Sequence, residues 1–170
     1  MRKSVWPTFL LAYGLALAAG PALALQVLVT QVDKNADGTA TYHFVVKTDP
    51  GEALTPGADF VTIYNFGQLV DGSARSPGGW GFSSDEYGRT PTWNGYPAVL
   101  PVDIPGLNNL TWTAKRPIAG GTTIDGFTAA TRTVGTTEGE YTAEVTRNVG
   151  GKPSKQAIIG EITTPSYLAQ

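Results

Sequence analysis

The chain has 170 residues, fourteen acidic and twelve basic side chains, one histidine and no cysteine, and its formal net charge is −2. This length is sufficient for one domain with a substantial hydrophobic core. The lack of cysteine excludes a disulfide-stabilised scaffold, and the slightly acidic balance gives no reason to expect nucleic acid or an anionic membrane surface as a partner.

The first 24 residues have the pattern of a cleaved secretory signal peptide. Arg2-Lys3 forms a basic start, residues 5–19 are mostly apolar, and Ala22-Leu23-Ala24 is a small-x-small cleavage pattern. The apolar run is shorter than the roughly 20 residues of a membrane-spanning helix. We therefore predict a signal peptide at 1–24 and a secreted single domain at 25–170. Without the two basic residues of the leader, the mature chain carries a net charge of −4, and we expect no membrane association after cleavage.

Short β-type runs separated by turn signals fill the rest of the chain. Residues 26–32 and 39–48 flank a turn-rich segment and predict a β-hairpin, in which Tyr42, Phe44 and Val46 face the core. Because no helical period follows residue 24, we predict an all-β fold: an antiparallel β-sandwich of about eight or nine short strands, of the immunoglobulin-like or jelly-roll type. Further strands are predicted at 60–66, 68–70, 80–83, 110–114, 123–134 (one strand with a bulge at Gly126, or a strand pair), 140–149 and 156–163.

The segment 85–97 is rich in glycine, proline and polar residues and is predicted to be a long irregular loop. Exposed rings in such loops can stack on the faces of sugars, while neighbouring polar side chains supply hydrogen bonds. The alternative is that Trp93 folds back as a lid on the core, which its large apolar area favours. The candidate ligand-binding residues are Tyr87, Arg89, Trp93, Asn94 and Tyr96. Trp80 and Trp112, in contrast, are assigned to the core.

The segment 33–38, DKNADG, matches the first half of a calcium-binding loop, D-x-[DN]-x-[DN]-G. Asp33, Asn35 and Asp37 would supply oxygen ligands, but position twelve of the motif is Phe44 where a bidentate Glu is expected. Asp, Asn and Gly are also the residues that a tight hairpin turn needs. We interpret the segment as a turn, with weak calcium binding at these three residues as the alternative, and we expect no other cofactor.

The sequence contains no recognisable catalytic motif. The only histidine, His43, is predicted on the polar face of a strand, and neither a cysteine nor a G-x-S-x-G motif accompanies it. The closest acidic pairs are at 85–86 and 138–140, and a glycan hydrolase would need two carboxylates at a fixed separation across a cleft. We therefore predict a protein without enzymatic activity, with a glycan hydrolase as the most remote of three alternatives.

Five short segments together carry a resemblance to a known group of proteins. They are DFVTIYNF at 59–66, GGWGF at 78–82, VLP at 99–101, NNLTWT at 108–113 and GFTAA at 126–130. As a set they resemble exported bacterial proteins of the PEP-CTERM-associated group, which implies a secreted all-β domain and brings no catalytic residues. The C-terminal sorting signal of that group is a Pro-Glu-Pro motif followed by an apolar helix and basic residues. The chain ends in YLAQ at 167–170 instead, so we do not expect that sorting mechanism to apply.

These observations favour a function based on binding or on structure. We predict an extracellular matrix or surface-associated component whose partner is an extracellular polysaccharide or another matrix protein. The alternative is a carbohydrate-binding module that uses Trp93 and Tyr96. Saturable binding to a defined polysaccharide separates these two hypotheses.

Overall fold

The computed structural model describes residues 24–93, 96–99, 101–133 and 135–166, so the predicted signal peptide at 1–24 lies outside it except for its last residue, Ala24. All regular structure in the described residues is antiparallel β, and the predicted all-β sandwich is confirmed. The described part of the chain contains no helix with the length and apolar character needed to cross a bilayer. The strands are β1 (Gln26–Lys34), β2 (Ala40–Lys47), β3 (Glu52–Ala53), β4 (Phe60–Ile63), β5 (Trp80–Asp85), β6 (Thr92–Trp93), β7 (Tyr96–Pro97), β8 (Asn109–Ala114), β9 (Thr123–Thr131), β10 (Thr136–Val149) and β11 (Lys152–Pro165).

Two antiparallel sheets share one hydrophobic core. The smaller sheet has the order β1-β2-β9, and the larger has the order β11-β10-β4-β8-β5, with β3 paired to β10. The pair β6–β7 is a separate hairpin. The described residues form eleven strands, more than the predicted eight or nine. Three of the eleven contain only two residues each: β3, β6 and β7. The strand predicted at 68–70 is wrong, because this segment forms only an isolated bridge between Leu69 and Thr131.

The core lies between the two sheets and follows the alternation of the sequence. The inward-facing side chains predicted for β2 are buried, Phe44 among them. Trp112 on β8 contacts Phe44 and Phe127 with ring centroids 5.7 and 5.5 Å apart, and Trp80 meets Phe127 edge-on at 5.0 Å. The assignment of Trp80 and Trp112 to the core is thus confirmed, and aromatic contacts join the smaller sheet to the larger one.

Glycine residues with positive φ lie at a hairpin turn and at a bulge, both of which are predicted from the sequence. Gly38, with φ of 83°, closes the β1–β2 hairpin, in which the N–H of Asn35 donates to the carbonyl of Thr39 at 2.8 Å. Gly126, with φ of 88°, lies at the predicted bulge, where an extra residue of β9 shifts its register against β2. Since L-residues with side chains rarely adopt this conformation, both positions favour glycine.

The centre of the larger sheet is covered on both of its faces. All four residues of β4 are buried, although an antiparallel strand commonly exposes alternate side chains. The outer cover is the segment between β5 and β8, residues 86–108, which is called the covering loop below. In it, the carbonyl of Arg89 accepts hydrogen bonds from the Thr62 hydroxyl at 2.8 Å and the Tyr64 hydroxyl at 3.0 Å. Gly88 lies so close to the Tyr64 ring that an added Cβ would overlap it.

Asn65 fixes the other end of this covering loop. Its backbone is left-handed, with φ of 54°, and its N–H donates to Asn109 Oδ1 at 2.8 Å. Its side-chain amide donates to the carbonyl of Val102 at 2.6 Å and accepts from the N–H of Ile104 at 2.8 Å. The loop is therefore attached to the sheet before and after the β6–β7 hairpin that it carries.

Candidate functional site

The candidate site is the β6–β7 hairpin, which stands at the surface of the covering loop. Trp93 and Tyr96 are paired directly across the hairpin, so their side chains lie on the same face. The two residues are 61% and 76% exposed, which overturns the alternative that Trp93 closes over the core. Together with Pro97 and Ala98 they line a shallow depression of about 570 Å³. Two large rings thus form an apolar surface that is open to solvent.

The base of the hairpin is attached to the sandwich. Pro91 is buried, and its carbonyl accepts a hydrogen bond from the N–H of Ala98 at 2.8 Å. The N–H of Thr92 donates to Glu144 Oε2 on β10 at 3.2 Å. Asn94 lies outside the described residues, so its predicted role has no structural account. The two rings are therefore presented from a fixed base.

The other two predicted ligand residues that the structure describes, Tyr87 and Arg89, do not line this depression. Tyr87 is 75% exposed and precedes the point where the loop crosses the sheet. The guanidinium of Arg89 lies 4.1 Å from the ring centroid of Phe60, and its Nη2 donates to the carbonyl of Ala58 at 2.9 Å. Arg89 therefore holds the loop on the sheet through a cation–π contact and a hydrogen bond. Of the four described candidates, Trp93 and Tyr96 form an exposed aromatic pair. Tyr87 and Arg89 lie elsewhere on the loop.

A buried ion cluster supports the hairpin from behind. The Asp59 carboxylate is fully buried and accepts hydrogen bonds from the Thr146 hydroxyl at 2.8 Å and from Lys155 Nζ. Lys155 also lies 3.8 Å from Glu144 Oε1, and the other oxygen of that carboxylate anchors Thr92. The roles of Asp59 and Glu144 were not predicted, because the sequence does not show which distant residue pairs with a buried carboxylate. Asp59 and Lys155 are 96 positions apart.

The tyrosine beneath the covering loop has a structural role. Burial raises the pKa of the Tyr64 hydroxyl, while hydrogen bonds with Thr142 and Thr90 partly oppose that effect. The hydroxyl therefore stays protonated at neutral pH and donates to the carbonyl of Arg89. This contact keeps the base of the candidate site attached to the residue that directly follows β4.

The residues of the possible calcium loop make hydrogen bonds within their own hairpin. Asp33 accepts from Gln31 Nε2 at 2.6 Å through Oδ1, and its Oδ2 lies 2.9 Å from His43 Nε2. The hydrogen bond from Gln31 is the main reason that the pKa of Asp33 lies below its usual value. His43 is half-buried on the polar face of β2, as this pairing requires.

The rest of that loop stabilises the turn. Asp37 Oδ1 accepts from both the N–H and the hydroxyl of Thr39, at 3.0 and 2.7 Å, and these bonds lower the pKa of Asp37. Asn35 Nδ2 donates to the Thr39 hydroxyl at 2.8 Å. Within the described ranges, no group of three histidine or acidic side chains converges as metal ligands. The contacts favour the interpretation of this segment as a turn.

Calcium is expected to leave the stability of the protein unchanged. Thermal unfolding in millimolar calcium should give the same melting temperature as unfolding in a chelator, because a ligand that binds only the folded state would raise it. The control is Asp37→Ala, which removes the side-chain oxygens of one candidate ligand. A calcium-dependent rise in melting temperature that this substitution abolishes would contradict the turn interpretation and establish a metal site.

Comparison of the chain with known protein families found no family model that matches it, and comparison with curated proteins found no match. Function must therefore be inferred from the geometry of the described residues. Of these, the paired rings of Trp93 and Tyr96 are the feature that points most directly to a ligand.

Proposed function

We propose that this protein is an exported, non-enzymatic binding module that attaches to extracellular polysaccharide through Trp93 and Tyr96. The observation that carries the proposal is the exposure of two large rings on one face of an anchored hairpin. Aromatic rings stack on the apolar faces of sugar rings, and a fixed pair loses little conformational freedom when it binds. Export is supported by the signal-peptide pattern of residues 1–24 and by the resemblance to PEP-CTERM-associated proteins.

The rest of the β6–β7 region fits this proposal. The depression is shallow and open, as suits a chain of sugars better than a small molecule that must be enclosed. The backbone of the hairpin is held by the hydrogen bond between Ala98 and Pro91 and by that between Thr92 and Glu144, so the strands that carry the two rings are in place before the ligand arrives. Such preorganisation favours binding because less freedom is lost in the complex.

A structural role in an extracellular matrix is the second candidate, and it rests on a different observation. Among the described residues β11 pairs only with β10, so one edge of this 14-residue strand is open. Ile159 on β11 is 49% exposed. An open edge can pair with a strand of another chain. Self-association that depends on protein concentration, and that Ile159→Lys abolishes, would support this role.

Trp93→Ala is expected to weaken polysaccharide binding at least about tenfold, because aromatic residues at the centre of a binding surface commonly contribute 2 kcal/mol or more. The measurement is saturation binding of residues 25–170 to a panel of insoluble polysaccharides. Since the residue is 61% exposed, the same substitution should leave the urea midpoint of unfolding nearly unchanged.

Tyr87→Ala is the matched control for this experiment. It also removes an exposed ring, but one that does not line the depression. Equal loss of binding in Trp93→Ala and Tyr87→Ala would indicate non-specific adhesion of exposed rings. If the folded protein bound no member of the panel, the polysaccharide proposal would be wrong and the structural role would take its place.

A further inference from the structure

Leu25, the first residue after the predicted cleavage site, is held by the fold at three points. Its side chain is fully buried. Its carbonyl accepts a hydrogen bond from the Tyr141 hydroxyl at 3.1 Å, and its N–H donates to Glu52 Oε1 at 3.1 Å. The first strand begins only at the following residue, Gln26. The fold therefore fixes the backbone nitrogen at which a cleaved chain would start.

The acceptor of that N–H is the buried carboxylate of Glu52. The acidic side chains around it outnumber the basic ones. The side chain of Glu52 is 0% exposed, and Arg147 Nη2 donates to its Oε1 at 3.0 Å. The same guanidinium lies 3.9 Å from Asp49 Oδ1, while the N–H of Asp49 donates to Glu52 Oε2 at 2.9 Å. Two carboxylates thus share one guanidinium. A second cation at this place would balance the charge.

We propose that Glu52 binds the α-ammonium group that forms at Leu25 when the signal peptide is removed. A peptidase of the export pathway hydrolyses the Ala24–Leu25 bond. Water adds across the bond, Ala24 leaves with a carboxylate, and the nitrogen of Leu25 becomes –NH₃⁺. The donor to Glu52 Oε1 changes from a neutral amide to a cation, and charge-assisted hydrogen bonds are shorter and stronger than neutral ones. Cleavage therefore completes the ion cluster of Glu52, Asp49 and Arg147.

The inference rests on the export part of the proposed function and is independent of the ligand of Trp93. The new N-terminus would stabilise the folded protein, in addition to freeing the chain from its signal peptide. The mature protein is more stable than any form in which Leu25 is preceded by another residue. Processing is then linked to folding, because the native state alone holds the ammonium group beside a buried carboxylate.

The test compares two purified chains, one that starts at Leu25 and one that starts at Ala22 and keeps the native flanking residues. Each is made with Glu52 and with Glu52→Gln, and thermal unfolding is measured at neutral pH. The chain that starts at Leu25 is expected to melt about 3 °C or more above the longer chain, and Glu52→Gln is expected to remove this difference. Glu161→Gln, which removes an exposed charge on β11, should leave the difference intact.

A second measurement does not depend on the folding of the Glu52 variant. The α-amine of the chain that starts at Leu25 should react with an acylating reagent at least about tenfold more slowly than that of the longer chain, because an ammonium paired with a carboxylate loses its proton less readily. Equal melting temperatures or equal reaction rates would overturn the proposal. So would a difference in melting temperature that persists in Glu52→Gln.

The intact mass of the exported protein tests the processing step separately. The proposal requires a chain of residues 25–170, and a different first residue would refute it. Failure of this test would leave the binding experiment on Trp93 unaffected, whereas loss of polysaccharide binding would leave the stability comparison unaffected. The two proposals are thus distinguishable by experiment.

Discussion

Replacing Trp112 with alanine is expected to lower the free energy of unfolding by about 3–5 kcal/mol. Its ring is 2% exposed and lies 5.2–5.7 Å, between centroids, from the rings of Phe44, Phe82 and Phe127. Two of these neighbours belong to the smaller sheet and one to the larger. The neighbouring rings are held by different strands, so they cannot collapse fully into the space left behind, and a cavity remains between the sheets.

Urea unfolding of residues 25–170 measures this effect. A lower midpoint with an unchanged slope would indicate a loss of stability without a change in the surface exposed on unfolding. Phe82→Leu is a milder variant at the same cluster, and since Phe82 is only half-buried its effect should be smaller. A loss below about 1 kcal/mol for Trp112→Ala would contradict the position of this ring at the centre of the core.

Lys155→Met is expected to lower the free energy of unfolding by about 3 kcal/mol, because it leaves the carboxylate of Asp59 buried without its cation. That carboxylate is fully buried, and its remaining donors are neutral: the N–H of Thr55 at 2.7 Å and the hydroxyl of Thr146 at 2.8 Å. The side chain of Lys155 is 37% exposed, so part of the effect is offset by water that reaches its place. The measurement is again the free energy of unfolding in urea.

A double-mutant cycle separates the charge effect from lost packing. Asp59→Asn in the Lys155→Met background removes the unpaired charge, and the double variant should recover part of the stability that Lys155→Met loses. Lys152→Met is the control, because Lys152 is exposed at the start of β11 and makes no ion pair among the described residues. Strictly additive effects would show that Asp59 and Lys155 do not interact as described.

The alternation of side chains was sufficient to predict the strands that border the core. Tyr42, Phe44 and Val46 are buried on β2, and Gly126 lies at a bulge, because in both cases the local sequence determines the outcome. The β6–β7 hairpin was missed, since the segment was predicted to be irregular. The Asn-Gly pair between Trp93 and Tyr96 was the available signal for a two-residue turn.

Contacts between distant segments explain what the sequence did not predict. The burial of both faces of β4 depends on a loop that returns across it, and no pattern within β4 reveals this cover. The exposure of Trp93 likewise depends on how the loop that carries it is held, because Thr62 and Tyr64 bind the carbonyl of Arg89 from the sheet. The placement of a loop residue follows from the fit of its neighbours rather than from its own hydrophobicity.

The central position of β4 determines when during synthesis the larger sheet can form. Its neighbours are β8 and β10, and the hydrogen-bonded pairs Thr62–Thr111 and Tyr64–Thr142 join residues that are 49 and 78 positions apart. At 5–20 residues per second, a ribosome needs about 4–16 s to extend the chain by the longer of these intervals. During that time β4 has no hydrogen-bonded partner on the side that β10 later occupies. The larger sheet therefore cannot be completed until the ribosome has added β10, whereas the β1–β2 hairpin has both of its strands much earlier.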